Sequence, residues 1–137
     1  MELCTKCGSK INLCYCNLVD IGRLKDSGER QLFDSGAVRD TQEGKGRMDF
    51  LPAFALMEVA KHFEAGANKY GDNNWRKGIP VSRYIDSGLR HLLKHMDGQT
   101  DEQHLIAATW NLLCAIETRE KLPELNDMPY KYGGGAE

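Results

Sequence analysis

Apolar residues return at helical intervals over residues 53–122 and nowhere in the fifty residues before them. Leu56, Ala60, Phe63 and Ala67 stand at i, i+4, i+7 and i+11, one face of a helix predicted over about 53–67. Pro52 suits the first turn, where its missing N–H costs nothing, and Gly66 weakens the end. A turn-rich loop follows over about 68–80. Ile85, Leu89, Leu92 and Met96 repeat the spacing and predict a second helix over about 82–96, stopped by Asp97-Gly98. A third helix is predicted over about 101–121. Thr100 with Gln103 forms a capping-box signature, Asp101 and Glu102 favour the helix dipole, and Pro123 ends it. From Leu105 to Ile116 this helix is apolar nearly all round, so both of its sides should be buried. One partner helix cannot do that, whereas a bundle shared between subunits can. Residues 23–52 are polar and punctuated by glycine, without apolar periodicity, and are expected to form loops. The stretch 123–137, with Pro129 and a Gly-Gly-Gly run, is expected to fray.

Composition narrows the class. The chain has 137 residues, enough for one ordinary domain and a small appendage. A net charge of −2 supplies no broad basic field, so no stable nucleic-acid partner is expected. No apolar run is long enough to span a membrane. The first residues lack a signal-peptide core, so a cytoplasmic location, with its reducing chemistry, is expected. Four of the five cysteines fall within the first 16 residues as Cys4-x-x-Cys7-Gly8 and Cys14-x-Cys16. Four thiolates at this spacing predict a closed tetrahedral Zn²⁺ site, with Gly8 permitting the tight turn and Ile11, Leu13 and Tyr15 alternating as in a short hairpin. The alternative, four free thiols in a tail, leaves such clustering without a reason.

The predicted helices sort the candidate chemistry. Glu64 lies about 80° from the centre of the first apolar face and so borders the core, whereas Glu58 and His62 point outward. Asp86 and Arg90 stand at i, i+4 and read as an ion pair, or as a metal ligand beside a phosphate contact. His91 and His95, one turn apart on the other flank, could bind a transition metal, but without a partner carboxylate on that side they read as a satisfied or surface pair. His104 and Asn111 are two turns apart on one side of the third helix, with Ala107 and Ala108 between them. Two polar groups over small alanines suggest a cavity. Arg39, Lys45 and Arg47 in one glycine-rich loop, and Lys69, Arg76 and Lys77 in another, suit a polyphosphate beside carboxylates that hold a metal. Glu43-Gly44-Lys45-Gly46 is not a phosphate-binding P-loop, because its first glycine and its Ser/Thr are missing. Tyr70 and Trp75 stack on a base or pack internally, and Trp110 reads as core.

Several stretches together resemble a known family. They are Gly36-Ala-Val-Arg39-Asp40 through Gly44-Lys45-Gly-Arg47-Met-Asp49-Phe-Leu-Pro52, Phe63-Glu64-x-Gly66-Ala67-x-Lys69-Tyr70-Gly71-x-x-Asn74-Trp75, Arg83-Tyr84-x-Asp86-Ser87-x-x-Arg90-His91, and His104 to Trp110-Asn111. Over about residues 36–117 the chain resembles the phage dATP/dGTP diphosphohydrolases of the MazZ group, which are similar to the all-α MazG-like nucleotide pyrophosphohydrolases. The resemblance implies cleavage between the α and β phosphates of a purine deoxynucleoside triphosphate, removing dATP and making dGMP during phage growth, in some phages for 2-aminoadenine synthesis. The wider superfamily carries ExxE and ExxD on two helices. Here the corresponding stretches read Lys61-x-x-Glu64 and Ala108-x-x-Asn111.

The expectation is therefore an all-α MazG-like bundle, homo-oligomeric, with a zinc knuckle over 1–22, a phosphate-contacting segment over 23–52, a catalytic bundle over 53–122 and a tail from 123. Glu64, Asp86, His104 and Asn111 would hold Mg²⁺ or Mn²⁺ and form the catalytic set. Arg39, Lys45, Arg47, Lys69 and Arg90 would contact phosphates, and Tyr70, Asn74 and Trp75 the sugar or base. Two other classes compete. An HD-type phosphohydrolase would use His62, His91, His95 and Asp97, but Met96 separates the last two. A non-enzymatic zinc-finger adaptor would use its helices only to associate.

Overall fold

A computed structural model describes residues 26–129, in which the chain divides into two compact units, Met1–Met48 and Asp49–Glu137. The cysteines expected to bind zinc lie outside the described residues. In the first unit, strands β1 (Arg30–Leu32) and β2 (Val38–Asp40) pair antiparallel, with Arg30 opposite Asp40 and Leu32 opposite Val38. The loop between them closes through Phe33 N–H to Ala37 O at 2.9 Å and Gly36 N–H to Phe33 O at 2.8 Å. Gly36 takes φ +86°, which a side chain would resist. This hairpin corrects the loop reading of 23–52. Its strands are three residues long, too short for period-2 alternation to register.

Three helices among the described residues build the second unit: α1 (Ala53–Tyr70), α2 (Val81–Met96) and α3 (His104–Lys121). α3 is the central element, packed along α2 and less extensively against α1. α2 and α3 form an antiparallel hairpin. Its tightest point is Gly88, where an added Cβ would lie 3.5 Å from Asn111 Cβ and 3.9 Å from the Ala108 carbonyl. Small residues at 88, 107 and 108 let the two backbones approach. Beyond this point Val81, Tyr84, Cys114 and Ala115 are buried together, walled by Phe63, Trp75, Ile79, Ile85, Trp110 and Met128. Burial pushes the Cys114 thiol up to about 12 and raises the Tyr84 hydroxyl as well.

The helix boundaries match the sequence patterns closely, but the buried faces do not. On α1 the inward position is Val59, with His62 and Phe63 half-buried, whereas Leu56 is 40% exposed and Ala60 faces out. On α2 the inward row is Val81, Tyr84 and Gly88, whereas Leu89 and Met96 are 56% and 80% exposed. The aromatic residues of the neighbouring helices select these faces, because Trp110 draws Tyr84, Phe63 and His62 toward α3. α3 starts at His104 without the expected capping box, and Asp101 bonds the His104 ring instead. The segment after α3 does not fray through Pro129. It forms a turn at Pro123–Leu125, and Asp127 accepts the Ser82 N–H at 2.9 Å and the Ser82 hydroxyl. A carboxylate forty-five residues away thus satisfies a first-turn N–H of α2, whose own N-cap position, Pro80, makes no side-chain cap bond.

The Gly88 contact separates two substitutions. Gly88→Ala meets only ordinary van der Waals distances and gains helix propensity, so the melting temperature should hold or rise. Gly88→Val should push α2 off α3 and cost about 1–3 kcal/mol in a denaturant melt.

Candidate functional site

Between the C-terminal half of α1, the 71–79 loop, the face of α2 through Arg83, Tyr84 and Ser87, and α3 at Trp110 and Asn111, the helical unit forms a half-open cavity of about 620 Å³. Its size is that of a small-molecule site. The wall is chemically divided. Phe63, Tyr70, Trp75, Tyr84 and Trp110 supply aromatic surface, while Glu64, Asp72, Asn73, Asn74 and Asn111 supply oxygen-bearing side chains, and Arg83 a cation.

Local chemistry shapes this wall. Gly71 ends α1, its N–H bonding Ala67 O at 2.8 Å, and Asn73 sits in the left-handed region at φ 56°, a conformation asparagine tolerates better than most residues. Together these turn the chain so that residues 72–75 face the cavity. Gly78, at φ +114°, brings the loop against the turn after α3, where a Cβ would meet Leu125 Cδ1 at 2.8 Å. Trp75 is held edge-on to Phe63 at 6.0 Å between ring centroids, and the Arg76 guanidinium covers it at 4.5 Å. The buried Asn111 amide donates to Ala107 O at 2.8 Å, which orients the side chain. The Trp110 indole N–H is the buried side-chain polar atom without a hydrogen-bond partner among the described residues.

A second constellation lies at the α2–α3 turn. His104, with no side-chain exposure, meets Asp101 through Nε2 at 2.7 Å and His91 through Nδ1 at 2.9 Å, and Glu102 Oε2 stands 3.9 Å from the same Nδ1. The His104 bond holds the Asp101 carboxyl below the usual range, and burial lowers His91. His91 and His95 were expected as a satisfied or surface pair, and they divide: His91 is half-buried and bonded to His104, while His95 is exposed.

The expected site residues divide accordingly. Glu64, Tyr70, Asn74, Trp75 and Asn111 come together around the cavity. Asp86 and Arg90 form an exposed ion pair outside its lining. His104 joins His91 and does not line the cavity. Lys69 stands over the Tyr70 ring at 5.0 Å. Arg39, Lys45 and Arg47 belong to the other unit, where Lys45 Nζ bonds Asp40 at 2.9 Å. The Ser27 hydroxyl and Lys45 hold that Asp40 carboxyl at about 2. Sequence reasoning assigned no role to Asp72, Arg83 or Ser87. The signal for the last two was the i, i+4 spacing of Arg83 and Ser87 beside the inward row of α2.

Aromatic rings, two carboxylates and one arginine thus meet in one cavity of the helical unit. The sequence model of the family described as dATP/dGTP diphosphohydrolase, N-terminal, matches residues 35–128, most of the chain, and the chain belongs to that family. It is an enzyme of the nucleoside triphosphate pyrophosphohydrolase class, and a deoxynucleoside triphosphate is its substrate class. No curated protein and no solved structure shows a significant match. Among the described residues no helix is long and apolar enough to cross a membrane.

His62, packed on Trp110 at 5.6 Å between ring centroids, is lowered first by burial and then by His91. The folded state refuses a proton that the unfolded chain accepts near the ordinary value of 6.5. Stability is therefore full above that value and falls as the pH drops through it. Melting temperatures followed across this range should show the loss, and His62→Gln should flatten it.

Proposed function

We propose that the enzyme binds a purine deoxynucleoside triphosphate in the helical cavity and hydrolyses it to the monophosphate and pyrophosphate. The observation that carries this reading is one cavity lined by both aromatic rings and oxygen-bearing side chains. Tyr70 and Trp75 flank the base. Arg83 holds phosphate oxygens by charge-assisted hydrogen bonds. It takes the role expected of Arg90, whose charge is paired with Asp86. The donor set fits a hard cation, since Glu64, Asp72 and the nearby asparagine amides offer oxygen only. A bound Mg²⁺ or Mn²⁺ supplies an activated water for the α-phosphorus and charge neutralisation for the departing pyrophosphate. The buried Asn111 side chain, held by its bond to Ala107 O, stands in the cavity wall as a positioning group.

The finer setting belongs to the same proposal. The enzyme acts in the cytoplasm of a phage-infected host as a MazZ-type member with a MazG-like bundle, trimming dATP and supplying dGMP for synthesis of a modified purine. The thiolates of Cys4, Cys7, Cys14 and Cys16 hold a structural Zn²⁺. Incubation with dGTP and Mn²⁺ should release dGMP and pyrophosphate, resolved by phosphorus NMR. Glu64→Gln should lower kcat by about 10²-fold or more with the fold intact. Release of tripolyphosphate or of single phosphates would point to the HD-type alternative, and no turnover to an adaptor.

Association of copies is part of this reading. Leu105, Leu113 and Ile116 on α3 are 51%, 40% and 52% exposed, more apolar surface than a lone helical unit leaves to water without purpose. Light scattering after gel filtration should give a multiple of the chain mass, and Ile116→Glu should reduce it to the single chain.

A further inference from the structure

The His91–His104–Glu102 constellation is separate from the cavity and has no part in the proposed reaction. Its protonation pattern is fixed by its neighbours. Asp101 accepts at 2.7 Å from His104 Nε2, so that nitrogen carries the ring proton. The lone pair of His104 is then on Nδ1, inside the fold, aimed at His91 Nδ1 2.9 Å away. Glu102 Oε2 approaches the same point, and the three ligand atoms lie within 4.8 Å of one another. A carboxylate behind an imidazole whose other nitrogen faces two further donors is the arrangement that orients metal-binding histidines.

We propose that His91 Nδ1, His104 Nδ1 and Glu102 bind a divalent transition metal of the Zn²⁺ or Co²⁺ type, with Asp101 as the outer carboxylate that orients His104. The ion takes the place of the proton between the two Nδ1 atoms, and the neutral His91 ring carries its proton on Nε2 instead. Tetrahedral bonds to nitrogen of about 2.0–2.1 Å need the nitrogens about 3.3 Å apart, a small opening from 2.9 Å. His91 is only half-buried and can tilt to supply it, while Glu102 is exposed on the turn and free to close in. Two imidazoles and one carboxylate leave a fourth position for water, the ligand count of an open zinc site. Imidazole nitrogen selects such ions over Mg²⁺, which suits the oxygen-lined cavity instead. The bound ion clasps the end of α2 to the first residue of α3.

The test is cobalt titration of the full, chelator-stripped chain, read by visible spectroscopy. Cobalt held by the N-terminal cysteines announces itself through a thiolate charge-transfer band, whereas the histidine site contributes d–d absorption without one. The expected result is a second class of cobalt, lacking thiolate character, in the wild type and in a Cys4→Ser/Cys7→Ser variant. His91→Ala should abolish it, Glu102→Gln should weaken it about tenfold, and Asp101→Asn should weaken it about 10–100-fold. Glu102 and Asp101 are exposed, so these two variants keep the test valid if His91→Ala misfolds, which circular dichroism would reveal. Absence of non-thiolate cobalt in the wild type overturns the proposal, as does equal binding by the Glu102→Gln and Asp101→Asn variants. Because the readout is spectroscopic, its failure leaves the pyrophosphohydrolase reading untouched, and failure of that reading leaves this one standing.

Discussion

The close approach of α2 to α3 at Gly88 is the contact on which the helical unit turns. Gly88, opposite Ala108 and Asn111, leaves room there for no more than a methyl group. With the helices close, Tyr84 reaches Trp110 and Cys114 on one side of that contact, and His91 reaches His104 on the other. The same approach buries Asn111 and presents it in the cavity wall. Core packing, the cavity and the histidine corner thus all lie along one helix–helix contact.

Those consequences sort by ligand chemistry. The cavity is furnished with carboxylate and amide oxygens, an arginine and aromatic rings, which suits a hard cation, a polyphosphate and a base. The turn between α2 and α3 is furnished with imidazoles backed by a carboxylate. The two sets share α2 and α3 but differ in the ion each prefers. A helical hairpin can carry both because residues three and four apart keep to one face while the helix axis separates them along its length. Family membership fixes the reaction class.

The local code was sufficient for the helices. Pro52, the Asp97-Gly98 stop and Pro123 mark helix ends through backbone chemistry that acts within a few residues, and α1, α2 and α3 begin and end close to those marks. Family resemblance was legible for a related reason: motifs such as Phe63-Glu64-x-Gly66-Ala67 and Trp110-Asn111 are contiguous strings. Glu64, Tyr70, Asn74, Trp75 and Asn111, all read from such strings, do converge on one cavity.

What periodicity left undecided was direction. Each helix carries enough apolar residues to offer more than one inward face, and a wheel drawn from α1 alone centres on Leu56 and Ala60 rather than Val59. Only the partners choose. Trp110 turns His62 inward, Gly88 turns α2 onto Asn111, and His104 takes His91 away from His95. Asp127 completes the start of α2 from the far end of the unit. Composition, backbone punctuation and contiguous motifs therefore determined the helices, their ends and the enzyme family. Which side chains share a site is a property of pairs distant in the chain, settled when the helices pack, because contact energies between such residues exist only in the folded state.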